Sequence, residues 1–284
     1  MPSIRLIRRR IRSVQATAKV TRAMEMIAAS KMKRAQERGL AGRPYAEKIR
    51  QVIANLAALP ESGTVHPLLE RRPVAKIALI HVTPDRGLSG GLHSTLNRNL
   101  TSFLLEQTAP VTLITVGRKG RDFARRVGYD MHAEFTNLGD RPSLLDTLPI
   151  SRIIIDDYTN RLVDKVYISY ARFISTMSQE PVVQQLLPVE PAPLPRAQNV
   201  EYIYEPGARA VLDALLPRFV EMTVYHVILE SIASEQSARM VAMRNASDNA
   251  EELITSLTLM YNKARQESIT KELLEITGGA AALE

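Results

Sequence analysis

Residues 222–264 read MTVYHVILESIASEQSARMVAMRNASDNAEELITSLTLMYNKA, and this stretch decides the fold. Alternating steps of three and four residues along it pick out one stripe, which is apolar except at two positions. The stripe contains Met222, Tyr225, Leu229, Ile232, Gln236, Arg239, Met243, Ala246, Ala250, Leu253, Leu257, Met260 and Ala264. Neither proline nor glycine interrupts the stretch. A stripe this narrow is buried only against a second helix, so the sequence predicts one helix of a coiled coil, a rod of roughly 65 Å.

The other end of the chain supplies a candidate partner helix. The same steps give an apolar stripe of Ile4, Ile7, Ile11, Val14 and Ala18, followed later by Ala28, Met32 and Ala35. Thr21 and Glu25 interrupt this register. A displaced stripe, which predicts that the seam drifts around the helix, contains Val20, Met24, Ile27 and Lys31. Helical sequence extends to about Leu59, with a weak point near Gly39, Gly42 and Pro44.

Two long heptad helices at opposite ends of one chain predict an antiparallel coiled coil. The alternative is a pair of ordinary surface helices, and the length of both stripes argues against it. If Ile4 lies beside Ala264, both seams end there, and residues 265–284 project alone. This segment carries four apolar residues, Ile269, Leu273, Leu274 and Ile276. A lone helix of this kind needs an apolar sleeve from another molecule.

Charge is concentrated at one end of the chain. Residues 1–50 contain 14 Lys and Arg against three Asp and Glu, whereas the whole chain has a net charge of only +7. Two functional interpretations follow, contact with nucleic acid phosphates or contact with acidic protein loops. A third interpretation is a solvated charged face. No apolar run is long enough to predict a membrane span, and the lack of cysteine excludes disulfides and thiolate metal sites.

The middle of the chain changes from helical to alternating patterns. Predicted strands are Val74–Val82, Val111–Val116, Val166–Phe173 and Val182–Val189, with a possible short strand at Val200–Tyr204. Predicted helices are Leu92–Glu106, Lys119–Val127 and Ser143–Asn160, the last containing Pro149. Strands that alternate with helices predict an α/β, Rossmann-like sheet with a parallel part and an antiparallel edge. Pro217 predicts a kink or a break early in the terminal helix.

These patterns predict a division of the chain into a shaft and a central domain. The antiparallel coiled-coil shaft comprises 1–59 and 207–284, and the central α/β domain spans 73–190. Two connectors, 60–72 and 191–206, are marked by their prolines and glycines.

One glycine-rich motif invites an enzymatic interpretation. Gly87-Leu88-Ser89-Gly90-Gly91 fits G-x-S-x-G between a predicted strand and a predicted helix, the setting of a hydrolase nucleophile. A triad also needs an acid and a histidine after the serine, and His132 is the one plausible base. The same loop could cradle a phosphate, although it matches neither standard phosphate-binding glycine pattern. The remaining interpretation is a tight turn, and no metal-ligand spacing occurs in the sequence.

Several long motifs are similar to the gamma subunit family of the F-type ATP synthase. KVTRAMEMIAASKMKRAQ at 19–36 resembles the family's first helix, and DRGLSGG at 85–91 resembles its central loop. MSQEPVVQQLLPV at 177–189 resembles its late sheet segment. SEQSARMVAMRNASDNA at 234–250 and LTLMYNKARQESITKELLEITGGAAAL at 257–283 resemble its closing helix. The match runs from end to end, and it departs at Ser89, where many members have cysteine.

The resemblance implies a central-stalk rotor that couples proton flow to ATP synthesis or hydrolysis and carries no catalytic residue, cofactor or metal. Arg265, Gln266 and Thr270 would bind a catch loop of one beta subunit, and residues 265–284 would turn in an apolar bearing. An acidic lever of the beta subunit would meet Lys19, Arg22, Met24 and Lys31. A loop near the epsilon subunit and the membrane c-ring would comprise Asp85, Arg86, Gly87, Ser89 and Gly91.

The implied partners are therefore the alpha and beta subunits of the catalytic hexamer, the epsilon subunit and the c-ring, with no nucleic acid. The implied location is peripheral, on the cytoplasmic face of the bacterial plasma membrane. A basic coiled-coil protein that binds nucleic acid is the alternative, and the salt dependence of binding would distinguish the two.

Overall fold

A computed structural model describes residues 4–57, 66–190 and 204–281 of the chain. Its helices and strands are α1 (Ile4–Ala57), β1 (Ile77–Val82), α2 (Leu92–Glu106), β2 (Val111–Val116), α3 (Arg118–Val127), β3 (Met131–Phe135), α4 (Leu144–Thr159), β4 (Lys165–Phe173), β5 (Gln179–Leu187) and α5 (Ala208–Ala281). The chain forms two compact units, one from the chain up to Ala28 and from Met240 onward, the other from Ala29 to Arg239. Apart from Tyr204, the predicted short strand at 200–204 lies outside the described residues, as do parts of both predicted connectors.

The larger unit is built around a five-stranded sheet in the order β3-β2-β1-β4-β5. β3, β2, β1 and β4 run parallel, and β5 pairs antiparallel with β4. This arrangement confirms the predicted α/β sheet with an antiparallel edge. α2 and β2 have the predicted bounds, whereas β3 was not predicted. Its residues alternate between half-buried and exposed at the sheet edge, so the segment lacks the apolar run that marks β1.

Helices cover both faces of this sheet, as parallel crossovers require. On one face, Leu79 and Leu113 of the strands pack with Leu100 of α2 and Ala124 of α3. On the other face, strand residues pack with apolar side chains of α1, α4 and α5. This larger cluster includes Ile49, Ile53, Ile80, Ile114, Ile154, Ile168, Leu216, Val224 and Ile228. The sheet-contacting portion of α5 is therefore apolar on a wide face, unlike a narrow coiled-coil stripe.

Three prolines lie inside helices without ending them. Pro44, Pro149 and Pro217 are internal to α1, α4 and α5, so of the two alternatives predicted at Pro217, a kink or a break, the break is wrong. A proline leaves unpaired the carbonyl four residues earlier in the helix. Those earlier residues are Leu40, Leu145 and Asp213, and all three are exposed. Each orphaned carbonyl therefore belongs to a solvent-exposed position of its helix, where water can donate a hydrogen bond to it.

Candidate functional site

In the smaller unit, the first part of α1 buries one continuous stripe. Buried or half-buried positions recur at alternating steps of three and four: Ile4, Ile7, Ile11, Val14, Ala18, Thr21, Glu25 and Ala28. The displaced stripe is not the seam, since Val20 is 58% exposed and Ile27 is 54% exposed. The predicted drift is therefore wrong, and the two polar residues lie in the seam.

Three polar contacts join this stripe to α5 and explain why the polar residues are tolerated. The hydroxyl groups of Thr21 and Ser247 lie 2.7 Å apart and are both buried. Nε of Arg244 donates to Oε1 of Glu25 at 2.8 Å. Arg22 lies 3.5 Å from Glu251, and both side chains are exposed. Residue numbers rise along one helix as they fall along the other, so the helices are antiparallel.

The α5 side of the seam differs in phase from the prediction. At alternating steps of three and four, buried or half-buried positions recur at Met240, Met243, Ser247, Ala250, Ile254, Leu257, Tyr261 and Ala264. Met243, Ala250, Leu257 and Ala264 were predicted. Of the other positions predicted in this unit, Ala246 is half-buried, and Leu253 and Met260 are 39% and 51% exposed. Ser247, whose hydroxyl lies 2.7 Å from that of Thr21, is buried in the seam, whereas Ala246 is half-buried beside it.

The register fixes which residue of α5 lies level with Ile4, the first described residue of α1. Ile4 precedes Thr21 by as many residues as Ala264 follows Ser247, so an antiparallel pair places Ile4 level with Ala264. Beyond that level α5 continues as a helix to Ala281. Ile269, Leu273, Leu274 and Ile276 of this exposed end are 49%, 57%, 66% and 69% exposed.

The exposed end of α5, residues 265–277, has two chemically different halves. At 3.6 residues per turn, one half of its circumference contains Arg265, Gln266, Ile269, Thr270, Leu273, Leu274 and Ile276. The opposite half contains Glu267, Ser268, Lys271, Glu272 and Glu275. That charged half is self-paired, with Lys271 3.7 Å from Glu275 and Ser268 bonded to Glu272 at 3.3 Å. The first half combines uncovered apolar side chains with Arg265 and Gln266, whose side chains are exposed and make no hydrogen bond within the described ranges.

Residues predicted to meet an acidic partner fall into two groups. Lys19 is exposed, Arg22 is exposed beside Glu251, and Met24 is half-buried next to the seam. Lys31 belongs to the larger unit, and its Nζ lies 2.7 Å from Oδ2 of Asp140. The structure therefore gives Lys31 a partner within its own chain.

The predicted loop Asp85–Gly91 is anchored at the carboxyl edge of the sheet. The Asp85 carboxylate accepts from the backbone N–H groups of Arg118 and Asn137 at 3.0 and 2.9 Å. The Gly87 carbonyl accepts from Nη2 of Arg239 on α5 at 3.3 Å. Leu88 has a left-handed φ of 67° and is 59% exposed, so the loop presents an apolar tip.

The described residues do not assemble the hydrolase triad that the glycine-rich motif offered as an alternative interpretation. Ser89 is 1% exposed, and its hydroxyl has no hydrogen-bond partner among them. His132 lies 3.4 Å from Asp157. His132 is near the start of β3, whereas Ser89 follows the end of β1, and these strands run in one direction on either side of β2. The two residues therefore lie beyond opposite ends of the strands, with a strand length between them.

The rest of the described chain gives two further findings. No group of three or more His, Asp or Glu residues within it is placed to hold a metal ion. None of its helices combines the length and apolar content that crossing a bilayer requires.

The chain combines an α/β domain, a coiled coil and a helix end whose apolar half is exposed. These features define a class of protein, a subunit that contacts other chains of a larger assembly through its helices. The family profile described as ATP synthase matches residues 3–283. The chain belongs to the ATP synthase gamma-chain family, the central-stalk subunits of the F-type ATP synthase.

Two relatives match this chain in sequence over its full length, and two solved structures match it over 80% and 94% of its length. The gamma chain of Dehalococcoides mccartyi strain 195 is 68% identical over the full length of both chains. The gamma chain of Roseiflexus castenholzii is 51% identical and covers 100% of this chain and 99% of its own. A chain of the Tetrahymena thermophila mitochondrial central stalk and c-ring is 26% identical, with a TM-score of 0.63, over 80% of this chain and 99% of that one. A rotor chain of the Euglena gracilis enzyme shares the fold, with a TM-score of 0.65 and 19% identity over 94% of this chain and 98% of its own.

Proposed function

We propose that the chain rotates inside a ring of alternating alpha and beta subunits and so couples proton flow across the membrane to ATP synthesis or hydrolysis. The shaft, residues 1–59 and 207–284, would act as the turning element, and the chemistry would take place on the beta subunits. The observation that carries this proposal is the exposed end of α5, which is apolar with Arg265 and Gln266 on one half and charged on the other.

This two-sided end has the property that a rotor needs. A shaft biases three surrounding subunits toward different states only if it makes different contacts with each of them. A helix with one apolar half and one charged half presents different chemistry to neighbours around it, and rotation exchanges those neighbours. The apolar half supplies the surface for a bearing sleeve, because isolated apolar residues of this size favour burial.

Arg265, Gln266 and Thr270 would form the contact with a catch loop of one beta subunit. Arg265 offers a charged planar donor group, and Gln266 offers both a donor and an acceptor. The Thr270 hydroxyl donates to the Gln266 carbonyl at 2.9 Å and keeps its oxygen available to accept a bond. The three side chains lie on the same half of the helix, so one loop can reach all of them.

The acidic lever of the beta subunit would meet the basic face of α1. Lys19 and Arg22 supply exposed charge, and Met24 supplies an adaptable apolar contact beside them. Lys31, the fourth predicted residue, donates to Asp140 in its own chain, so the lever proposal depends on the other three. The relatives are gamma chains and rotor chains of ATP synthases, which supports an acidic protein partner over nucleic acid.

The loop Asp85–Gly91 would contact the epsilon subunit and the c-ring. Its apolar tip at Leu88 and the exposed Arg86 beside it supply the contact surface, and the backbone anchors of Asp85 hold it in place. Location follows from these partners: the chain would be peripheral, on the cytoplasmic face of a bacterial plasma membrane. The bacterial relatives, among them those of Dehalococcoides and Roseiflexus, support this location.

Substitution of the helix end in the assembled complex tests the proposal. Arg265→Ala and Gln266→Ala should each lower ATP turnover by about tenfold, the effect of losing one charge-assisted or buried hydrogen bond of about 1.4 kcal/mol. Circular dichroism of the isolated variants should match the parent chain, since neither side chain packs within the described ranges.

Lys271→Ala provides the matched control, because this exposed residue lies on the charged half of the same helical turns. It should leave turnover within twofold of the parent complex. Unchanged turnover in both the Arg265 and Gln266 variants would remove these residues from the coupling contact. Failure of the parent chain to assemble with alpha and beta subunits or to alter their ATPase rate would refute the function itself.

A further inference from the structure

One carboxylate, Asp140, joins the two long helices to the α/β domain. It lies in the loop between β3 and α4, directly after Gly139 with its left-handed φ of 75°. Oδ2 accepts from Nζ of Lys31 on α1 at 2.7 Å, and Oδ1 accepts from Nε2 of Gln236 on α5 at 3.2 Å. Each oxygen therefore has a partner from a different helix, and all three residues belong to the larger unit.

The burial of these groups distinguishes the arrangement from a surface ion pair. Gln236 is 1% exposed, so its amide depends on the carboxylate for this bond. The Lys31 and Asp140 side chains are 31% and 40% exposed, against 75% and 62% for the pair Arg71 and Glu190. Exposed pairs are weak because water and salt screen them, whereas this pair also holds a buried amide.

A neighbouring set of bonds fastens the same part of α5 to a second loop. Nη2 of Arg239 donates to Oε1 of Glu235 at 2.5 Å and to the Gly87 carbonyl at 3.3 Å. The Asp85 carboxylate accepts from the Asn137 backbone at 2.9 Å and so connects the loop after β1 to the loop after β3. Both loops at the carboxyl edge of the sheet are thus attached to α5, and only the Asp140 loop adds α1.

We propose that Asp140 is a positioning residue for rotary coupling, and that Lys31 and Gln236 act through it. The three residues, here called the Asp140 clasp, hold α1 and α5 to the α/β domain so that torque applied to the domain reaches both helices. Slippage at this point would let ATP hydrolysis proceed with fewer protons moved. The inference rests on the proposed rotor function, and it gives Lys31 an internal role that differs from contact with the beta lever.

The two bonds of Asp140 can be removed or restored separately by substitution. Asp140→Ala removes both bonds, and Asp140→Asn keeps an oxygen for Gln236 while removing the charge that Lys31 meets. Lys31→Ala removes one bond. The exchanged pair, Lys31→Asp with Asp140→Lys, restores the ion pair, and Gln236 can turn its amide oxygen toward the new ammonium group. Glu190→Ala, which breaks the exposed pair with Arg71, is the matched control.

The test measures protons moved per ATP hydrolysed in complexes assembled with each variant and embedded in vesicles. Asp140→Ala and Lys31→Ala should each lower this ratio at least threefold, with ATP hydrolysis retained. The exchanged pair should return the ratio to within twofold of the parent, and Glu190→Ala should leave it unchanged. If Asp140→Ala fails to assemble, Asp140→Asn takes its place, with an expected loss of at least twofold.

Two results would overturn the inference. One is a ratio in the Asp140 variants within the error of the parent. The other is a loss in Lys31→Ala that the exchanged pair does not restore, which would assign Lys31 to another subunit. Both differ from failure of the proposed function, in which the parent complex itself would move no protons on hydrolysing ATP.

Discussion

The hydrogen bond between Thr21 and Ser247 is expected to set the register of the coiled coil, and a double-mutant cycle measures its contribution. Both side chains are buried in the seam, 9% and 5% exposed, with their hydroxyl oxygens 2.7 Å apart. A buried polar pair in a largely apolar seam specifies how two helices align, because any other alignment leaves the hydroxyl groups against hydrocarbon. The cycle comprises Ser247→Ala, Thr21→Val and the combined variant.

The expected magnitude follows from the other bonds of each hydroxyl. Thr21 Oγ1 lies 3.1 Å from the carbonyls of Thr17 and Ala18, and Ser247 Oγ lies 3.0 Å from the carbonyl of Met243. Either hydroxyl can therefore still donate within its own helix when its partner is removed. Each single variant loses one buried bond, about 1 kcal/mol, without creating an orphaned donor.

Two secondary effects act on the single variants. Thr21→Val adds a buried methyl group, which offsets the loss by up to about 0.8 kcal/mol. Ser247→Ala gains helix propensity, which stabilises the helix by roughly half a kcal/mol. Both effects occur equally in either background, so the cycle cancels them and isolates a coupling energy of about 1 kcal/mol.

Hydrogen exchange of peptides from residues 240–264 is the suitable assay, because it reports local opening of the smaller unit. A coupling of about 1 kcal/mol corresponds to roughly a fivefold factor in the opening equilibrium. Ser247→Ala should therefore accelerate exchange about fivefold more in the parent background than in the Thr21→Val background. Equal effects in both backgrounds would show that the cross-helix bond contributes nothing to alignment.

Three further predictions concern the α/β domain. Burial lowers the pKa of His81 to about 4, whereas in the unfolded chain the pKa is near 6.5. As pH falls from 6.5 to 4 the unfolded state takes up the proton first, so the free energy of unfolding measured in urea should decrease by about 3 kcal/mol. His81→Gln should remove this part of the pH dependence. Asp164→Ala should cost about 3 kcal/mol in the same assay, because Arg72, 3.0 Å away and 11% exposed, would keep its charge without a carboxylate, while the exposed Glu190→Ala should cost less than about 1 kcal/mol. Ser89→Ala removes a buried hydroxyl that has no partner in the described chain, so stability and ATP turnover should be unchanged or higher, and a large loss of turnover would revive the hydrolase interpretation.

The sheet was predictable from the sequence where burial was complete. β1 is buried at every position and α2 follows a glycine turn, so their patterns were unambiguous. β3 was missed because it is only five residues long and lacks a buried apolar run, although its alternation of half-buried and exposed residues is typical of an edge strand. A break at Pro217 of α5 was wrongly predicted because the sequence does not show which side of a helix faces water.

The sequence predicted that a coiled coil forms, but it did not predict correctly which residues of α5 occupy the seam. From Met243 a heptad can proceed to Ala246 or to Ser247, and hydrophobicity alone favours alanine. Only the position of Thr21 on the other helix decides the matter, and that pairing joins residues 226 positions apart. The Asp140 clasp was unpredictable for the same reason, since Lys31 and Asp140 are separated by 109 positions and Asp140 lies in a loop without a pattern.

Not every cation of α1 is available to a partner, because some are paired with carboxylates of the same chain. Of the four residues predicted to meet an acidic lever, Arg22 lies near Glu251 and Lys31 is held by Asp140. Within the described ranges, no ion pair engages the exposed residues Arg8, Arg9, Arg10, Arg12 and Lys19. Internal pairing thus removes some cations from the partner surface, and the others keep their full charge there. An acidic partner that approaches α1 therefore meets, near the start of the helix, cations that no ion pair within the described chain engages.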